Sequence, residues 1–380
     1  MPKHTLTRRV YAVVVVALAA AAAIGAGAAH GASGVAKTAT AAGSIDPAAI
    51  PLGDGHVSTS PKVGYVDSCQ TSFKGGGAQH AGPWIDETTK TWNKTAKIAV
   101  SGAVSWASAY YKVSETGGKR VLTFDDLPID HTTGVFPIAS SDPAHAYDGN
   151  PNHIAAQKVS WKLALQPKAA ATPSCVGMGA IGVLSDGVYL YNGLDAAGRD
   201  AAAHEVQDSC DGHPDGSESY HHHDIPSCIL SQAPNGATTL VGYALDGYGI
   251  YVVKDASGNL PTNADLDACH GTTSAVPWNG TTQTVYHYVA TLEYPYTVGC
   301  FHGTPIKVAR TPRTQRHGGG AGGQNGAGQG QGRQGGGAGQ GRRGPGTGPG
   351  LPGAGNGRPG AGFGTTGRPR RPRRRPRPTG

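Results

Sequence analysis

Tyr220-His221-His222-His223 and Tyr286-His287-Tyr288 are the stretches of this chain whose residue types and spacing point most directly to chemistry. In a β-strand, side chains at i and i+2 share a face, about 6.5–7 Å apart along the chain. His221 and His223 would then project together, with Tyr220 and His222 on the opposite face. Two imidazoles at that separation can lean inward onto one ion held at about 2.0–2.1 Å. His287 would supply a third nitrogen, and His213, His131 or His270 could complete or support the set. Three imidazoles with an open position suit Zn or Cu, with raw affinity favouring Cu(II). Tyr220, Tyr286 and Asp208 are candidates for fixing ring tautomers from outside the ligand set. The competing reading is a buried, hydrogen-bonded Tyr/His network without an ion.

The elements that must carry these residues read as mainly β with a few short helices, an α+β arrangement being the alternative. Lys97 to Val104, Ser108 to Val113, Arg120 to Phe124, Val159 to Leu165 and Gly182 to Tyr191 alternate or cluster β-branched and aromatic residues. Gly, Pro, Asn and Asp bound them, as they bound strands. Pro143 to Ile154 and Ala196 to Val206 are the helical candidates, neither with a convincing apolar stripe. Asp186-Gly187 and Asp246-Gly247 could be converging carboxylates, but Asp-Gly is a common hairpin turn and that reading is preferred.

Two regions, about 177–230 and 240–303, repeat the same features in one order. Gly182 to Tyr191 matches Gly242 to Tyr251, both ending in Asp-Gly, two residues, an aliphatic and Tyr. Asp208-Ser209-Cys210-Asp211-Gly212-His213 is echoed by Asp267-Ala268-Cys269-His270-Gly271, and Tyr220-His221-His222-His223 by Tyr286-His287-Tyr288. Each copy closes on a cysteine, Cys228 or Cys300. The expected fold is a duplicated strand-turn-strand unit packed about a pseudo-two-fold axis.

These residues resemble the YHYH family, named for its tyrosine-histidine motif. Pro128-Ile129-Asp130-His131-Thr132-Thr133-Gly134-Val135-Phe136-Pro137, the two Asp-Gly segments, Cys210-Asp211-Gly212-His213 and Glu293-Tyr294-Pro295-Tyr296 through Cys300-Phe301-His302-Gly303 carry the likeness. It implies no particular activity, because the family is defined by its motif. Two departures fall on that motif: His222 replaces the inner tyrosine of the first copy, and Val289 the last histidine of the second.

The chain has six cysteines, at Cys69, Cys175, Cys210, Cys228, Cys269 and Cys300. Fifteen pairings are open in principle. The repeat favours Cys210 with Cys228 and Cys269 with Cys300, leaving Cys69 for Cys175. Thiolate metal ligation is the alternative, but no C-x-x-C spacing occurs. Pairing of thiols fits the N-terminus, where Lys3, Arg8 and Arg9 precede an apolar run and small residues, the layout of a secretory signal over 1–29. Thr7-Arg8-Arg9-Val10-Tyr11 also resembles a twin-arginine export signal. An uncleaved N-terminal membrane helix is the alternative. A secreted or envelope-associated protein is expected, with a disordered Ala/Gly-rich linker over 30–60 and a globular part over 61–305.

From 306 to 380 the composition turns to Gly, Gln, Pro and Arg, with almost nothing to bury, so disorder is expected. Lys307 to Arg377 holds fifteen positive charges and no Asp or Glu, so the net +7 of the whole chain becomes −8 without them. The basic pI thus describes the tail. Its Arg/Pro comb suits anionic cell-envelope polymers or lipid headgroups, and nucleic acid is not the expected partner of an exported chain.

The chain has no G-x-S-x-G, P-loop or H-E-x-x-H, so the hydrolase, nucleotide and zincin signatures are absent and no reaction is legible. Three functions remain compatible with these residues. They are an exported metal-binding protein, a metal-dependent enzyme on the same residues, and a non-metal ligand-binding or envelope scaffold module.

Overall fold

The computed structural model describes residues 44–308. The expected signal segment, the start of the linker and nearly all of the basic tail lie outside the described residues. The chain opens with five two-residue strands: β1 (Ile50–Pro51), β2 (Val57–Ser58), β3 (Val66–Asp67), β4 (Ile85–Asp86) and β5 (Thr91–Trp92). β5 pairs with both β1 and β4, and Ile50, Leu52 and Trp92 are buried in the main core. This corrects the linker over 44–60. Small residues dominate that window, but Ile50 and Leu52 bring enough apolar surface to dock it on the core.

Next come β6 (Tyr111–Thr116), β7 (Lys119–Phe124) and β8 (Val159–Ala164), an antiparallel three-stranded sheet. In β8, Val159, Trp161 and Leu163 are buried and Ser160 and Lys162 exposed, the two-residue period of a half-buried strand. The strand expected over Lys97 to Val104 does not form. Val104 makes an isolated bridge with Thr133, and Lys97 turns inward to donate from Nζ to the Ala202 carbonyl and to Gln207 Oε1. Pro143–Ala146 is a single 3-10 turn rather than a longer helix, capped by the Asp142 side chain. β9 (Ala169–Ser174) pairs with the last strand of the described region, Phe301–Gly303.

The remaining strands build an eight-stranded sheet: β10 (Ala180–Leu184), β11 (Tyr189–Tyr191), β12 (Gly212–Pro214), β13 (Tyr220–His222), β14 (Thr238–Ala244), β15 (Gly249–Val253), β16 (Gly271–Trp278) and β17 (Thr281–Val289). Two short helices accompany them, α1 (Ala201–His204) and α2 (Ser227–Gln232). The strand order is β12-β13-β11-β10-β14-β15-β17-β16. Outward from the centre, each half runs through the same pairings. β10 with β11 and β14 with β15 are antiparallel, β11 with β13 and β15 with β17 parallel, β12 with β13 and β16 with β17 antiparallel. β10 and β14 join the halves, with Gly182 opposite Ala244 and Leu184 opposite Gly242. Glycine is needed there: a Cβ at Gly182 would lie 2.8 Å from the Tyr243 carbonyl oxygen, and one at Gly242 only 2.5 Å from that of Val183. The Asp-Gly pairs form the turns of the two central hairpins, Gly187 and Gly247 both with positive φ.

The turn entering each outer hairpin is held by one carboxylate. Asp208 Oδ1 accepts from the backbone N–H of Cys210 (3.0 Å) and Gly212 (3.2 Å), and Oδ2 from the Tyr220 hydroxyl (2.9 Å). Asp267 Oδ1 accepts from Cys269 (2.9 Å), Gly271 (3.0 Å) and the Tyr286 hydroxyl (3.1 Å). Disulfides Cys210–Cys228 and Cys269–Cys300 leave from these same turns, and Cys69–Cys175 ties the N-terminal strands to the residues before β10. Asp211 and His270 both occupy the left-handed region in the turns, at φ 58° and 69°.

Two predictions rest on these turns. Tyr220→Phe leaves the fold intact but removes a hydrogen bond to a buried carboxylate, lowering stability by about 1.5–3 kcal/mol; the midpoint of urea unfolding measures it. His270 is fully buried, and burial takes its pKa down from 6.5 to about 3. Between those limits the imidazole stays neutral in the fold while the unfolded chain binds a proton, so acid favours unfolding. Stability should therefore fall as pH drops from about 7 towards 3, His270 contributing on the order of 4 kcal/mol. His270→Asn, which tolerates the left-handed turn, should flatten that slope in unfolding curves taken across the range; an unchanged slope would contradict the assignment.

Candidate metal centre

The pairing of β12 with β13 places His213 opposite His221, where facing side chains have Cβ atoms about 4.5–5.5 Å apart. His223 follows directly after β13 on the His221 side, as strand alternation requires. The ligating atoms of His213, His221 and His223 all lie within 4.8 Å of one another, and each residue is only 3% exposed. Glu205, the residue that ends α1, brings a carboxylate to the same place. Its Oε2 stands 3.2 Å from His223 Nε2 and 3.4 Å from His213 Nε2.

Backbone carbonyls decide which ring nitrogens face inward. His221 Nδ1 lies 3.1 Å from the Ser219 carbonyl oxygen and His223 Nδ1 2.6 Å from that of Asn192. A carbonyl can only accept, so each Nδ1 carries the proton and donates it. With both rings neutral, the two Nε2 lone pairs are directed into the cluster, 3.1 Å apart. Two nitrogens bound tetrahedrally to one ion at about 2.05 Å would be separated by about 3.3 Å. Neither nitrogen of His213 has a hydrogen-bond partner, and Glu205 Oε2 makes none either. Acceptors thus converge in a buried space with no donor among the described residues to satisfy them all. Such an arrangement costs free energy unless a cation, proton or metal, sits between them.

The electrostatics agree. Burial takes the His213 pKa down to about 4 against the pull of Glu205, and burial with the neighbouring His213 and His223 holds His221 well below its ordinary value. Burial also works against charge on His223, but the Glu205 carboxylate outweighs it and raises the pKa. Glu205, despite its own burial, is brought down to about 2 by His213, His223 and Lys97. The rings of His213 and His221 are thereby kept neutral, the form that ligates, beside a carboxylate that stays charged. The Tyr191 ring stacks on His221 at 3.9 Å and closes one side.

Not every expected residue is here. His287 lies on β17, separated from β13 by four strands and so about 24 Å away across the sheet. Its Nδ1 is 3.0 Å from the Val285 carbonyl oxygen, its facing partner is Thr272 and the residue two further on is Val289. His270 Nε2 is 3.1 Å from the Thr291 hydroxyl, in the other half of the sheet. Tyr220, Tyr286 and Asp208 do not set any tautomer in the cluster: the tyrosines project from the opposite face onto the turn carboxylates. His131 comes near His222 and Asp186 instead. Cys210 and Cys228 are beside it too, but in a disulfide they offer no thiolate. No local spacing marks Glu205, which falls within the helix expected over Ala196 to Val206.

The description "YHYH protein" belongs to the family model that matches residues 160–260. The matched segment contains Glu205, His213, His221 and His223, and ends before His287. No curated protein and no solved structure gives a match. The YHYH protein family model thus matches the part of the chain that holds the whole cluster.

Proposed function

We propose that this is an exported metal-binding protein whose His213, His221 and His223 hold one Cu or Zn ion, with Glu205 as the neighbouring carboxylate. The observation that carries the reading is the convergence of buried acceptors without a donor. Three imidazoles suit either metal. A carboxylate beside the ligands tunes their basicity, or completes the set. The near-complete burial of all three rings favours holding an ion over turning over a substrate. Three disulfides point to an oxidising compartment, and among the described residues no helix is long and apolar enough to cross a membrane. The Arg/Pro-rich tail would attach the domain to anionic envelope polymer or lipid headgroups.

The test is elemental analysis of the full chain, exported and purified without a polyhistidine tag. Bound Cu or Zn is expected, with one equivalent lost from His221→Ala/His223→Ala. Glu205→Gln should weaken the affinity by about 10–100-fold, read by competition with a chelator of known strength. A folded protein that stays empty after being offered Cu(II) and Zn(II) would overturn the proposal and leave a non-metal ligand-binding or scaffold role.

A further inference from the structure

The opposite face of β13 carries a second group of ligating atoms. One ring nitrogen each of His131 and His222 and an Asp186 carboxylate oxygen lie within 4.8 Å of one another. His222 and Asp186 are wholly buried, and the His131 side chain is 8% exposed. His131 Nδ1 is 2.9 Å from Asp130 Oδ1 and donates to it, leaving Nε2 with its lone pair; that nitrogen is buried and has no hydrogen-bond partner. His222 Nδ1 is 3.0 Å from the Asp211 carbonyl oxygen and donates to it, so in the neutral ring Nε2 presents a lone pair, 3.0 Å from Asp186 Oδ2.

The other half of the sheet shows how the same position is satisfied without an ion. There Asp246 Oδ2 accepts from the Tyr288 hydroxyl at 2.6 Å and from the Gly303 N–H at 2.9 Å. Tyr288 occupies on β17 the place that His222 occupies on β13, each paired across the parallel ladder with the strand of its central hairpin. Where that half has a hydroxyl donor, this one has an imidazole with a second imidazole close by. The loop bearing His131 is held in place: Ile129 N–H donates to the Asp186 carbonyl at 3.0 Å and Gly134 N–H to Asp208 Oδ2 at 2.9 Å.

We propose that His131, His222 and Asp186 form a second site for a divalent first-row metal ion, independent of the three-histidine cluster and separated from it by the thickness of β13. Two nitrogens and a carboxylate oxygen are a harder donor set than three imidazoles, and suit Zn(II), Co(II), Fe(II) or Mn(II). Asp130 and the Asp211 carbonyl are the outer partners that orient the two rings. The proposal stands whether or not the other face holds metal.

Titrating the metal-stripped full chain with Co(II) and Zn(II) tests it, counting equivalents by elemental analysis after desalting and following Co(II) by its visible absorption. His222→Tyr rebuilds the arrangement of Tyr288 with Asp246, so it removes a ligand while supplying Asp186 with a donor. His131→Ala alters the partly exposed ligand and covers the case in which His222→Tyr fails to fold. Each variant should bind one equivalent fewer than the wild type, and His221→Ala/His223→Ala should keep the equivalent that they lose. Wild-type binding that vanishes in His221→Ala/His223→Ala, or His222→Tyr and His131→Ala proteins that retain the wild-type count, would instead make His222 and Asp186 a plain buried ion pair.

Discussion

Two backbone carbonyls set the chemistry of this domain. By taking the Nδ1 protons of His221 and His223, Ser219 and Asn192 turn two lone pairs towards each other at 3.1 Å inside a buried space. Had the same rings met hydroxyls or N–H groups there, the cluster would be an ordinary polar network. Instead His213 adds a third ring without partners and Glu205 a carboxylate. The rest of the first half holds this collision of acceptors in place.

That support is built from short elements, so it depends on covalent and hydrogen-bonded clamps more than on long strands. β12 and β13 are three residues each, and strands so short bring little pairing of their own. Asp208 compensates by binding two backbone N–H groups, the Tyr220 hydroxyl and the Gly134 N–H at once. The Cys210–Cys228 disulfide fastens the same turn to α2. A second fastening comes from Lys94, which reaches Asp211 at 3.2 Å and Asp224 at 2.7 Å. Its burial disfavours the charge, but the two carboxylates more than offset it. Lys97 lacks such close acidic partners and burial lowers its pKa to about 8.

The two halves of the sheet share this scaffold and differ in what it displays. Asp267 and Tyr286 hold the second turn as Asp208 and Tyr220 hold the first. Yet Thr272 faces His287 where His213 faces His221, and Val289 stands where His223 would. One imidazole remains of three, and it donates to a carbonyl beside a tyrosine. The scaffold is therefore separable from the ligand set, which explains why a tyrosine-histidine motif can persist where no cluster forms.

Strand alternation was enough to place His221 and His223 on one face and Tyr220 and His222 on the other, because the two-residue period depends only on the local backbone. The Asp-Gly turns and most of the strands were legible for the same reason, and so was the mainly β class. The order of the eight strands was not, and with it went the choice between His213 and His287 as third nitrogen: both lie on outer hairpins, and only the sheet topology sets four strands between β13 and β17. Glu205 and the two carbonyls that fix the tautomers were equally hidden, since each reaches the cluster by a tertiary path that no local spacing encodes. Ligand types can be read from a chain, but which of them meet, and with which lone pairs, is decided only when distant backbone is brought alongside.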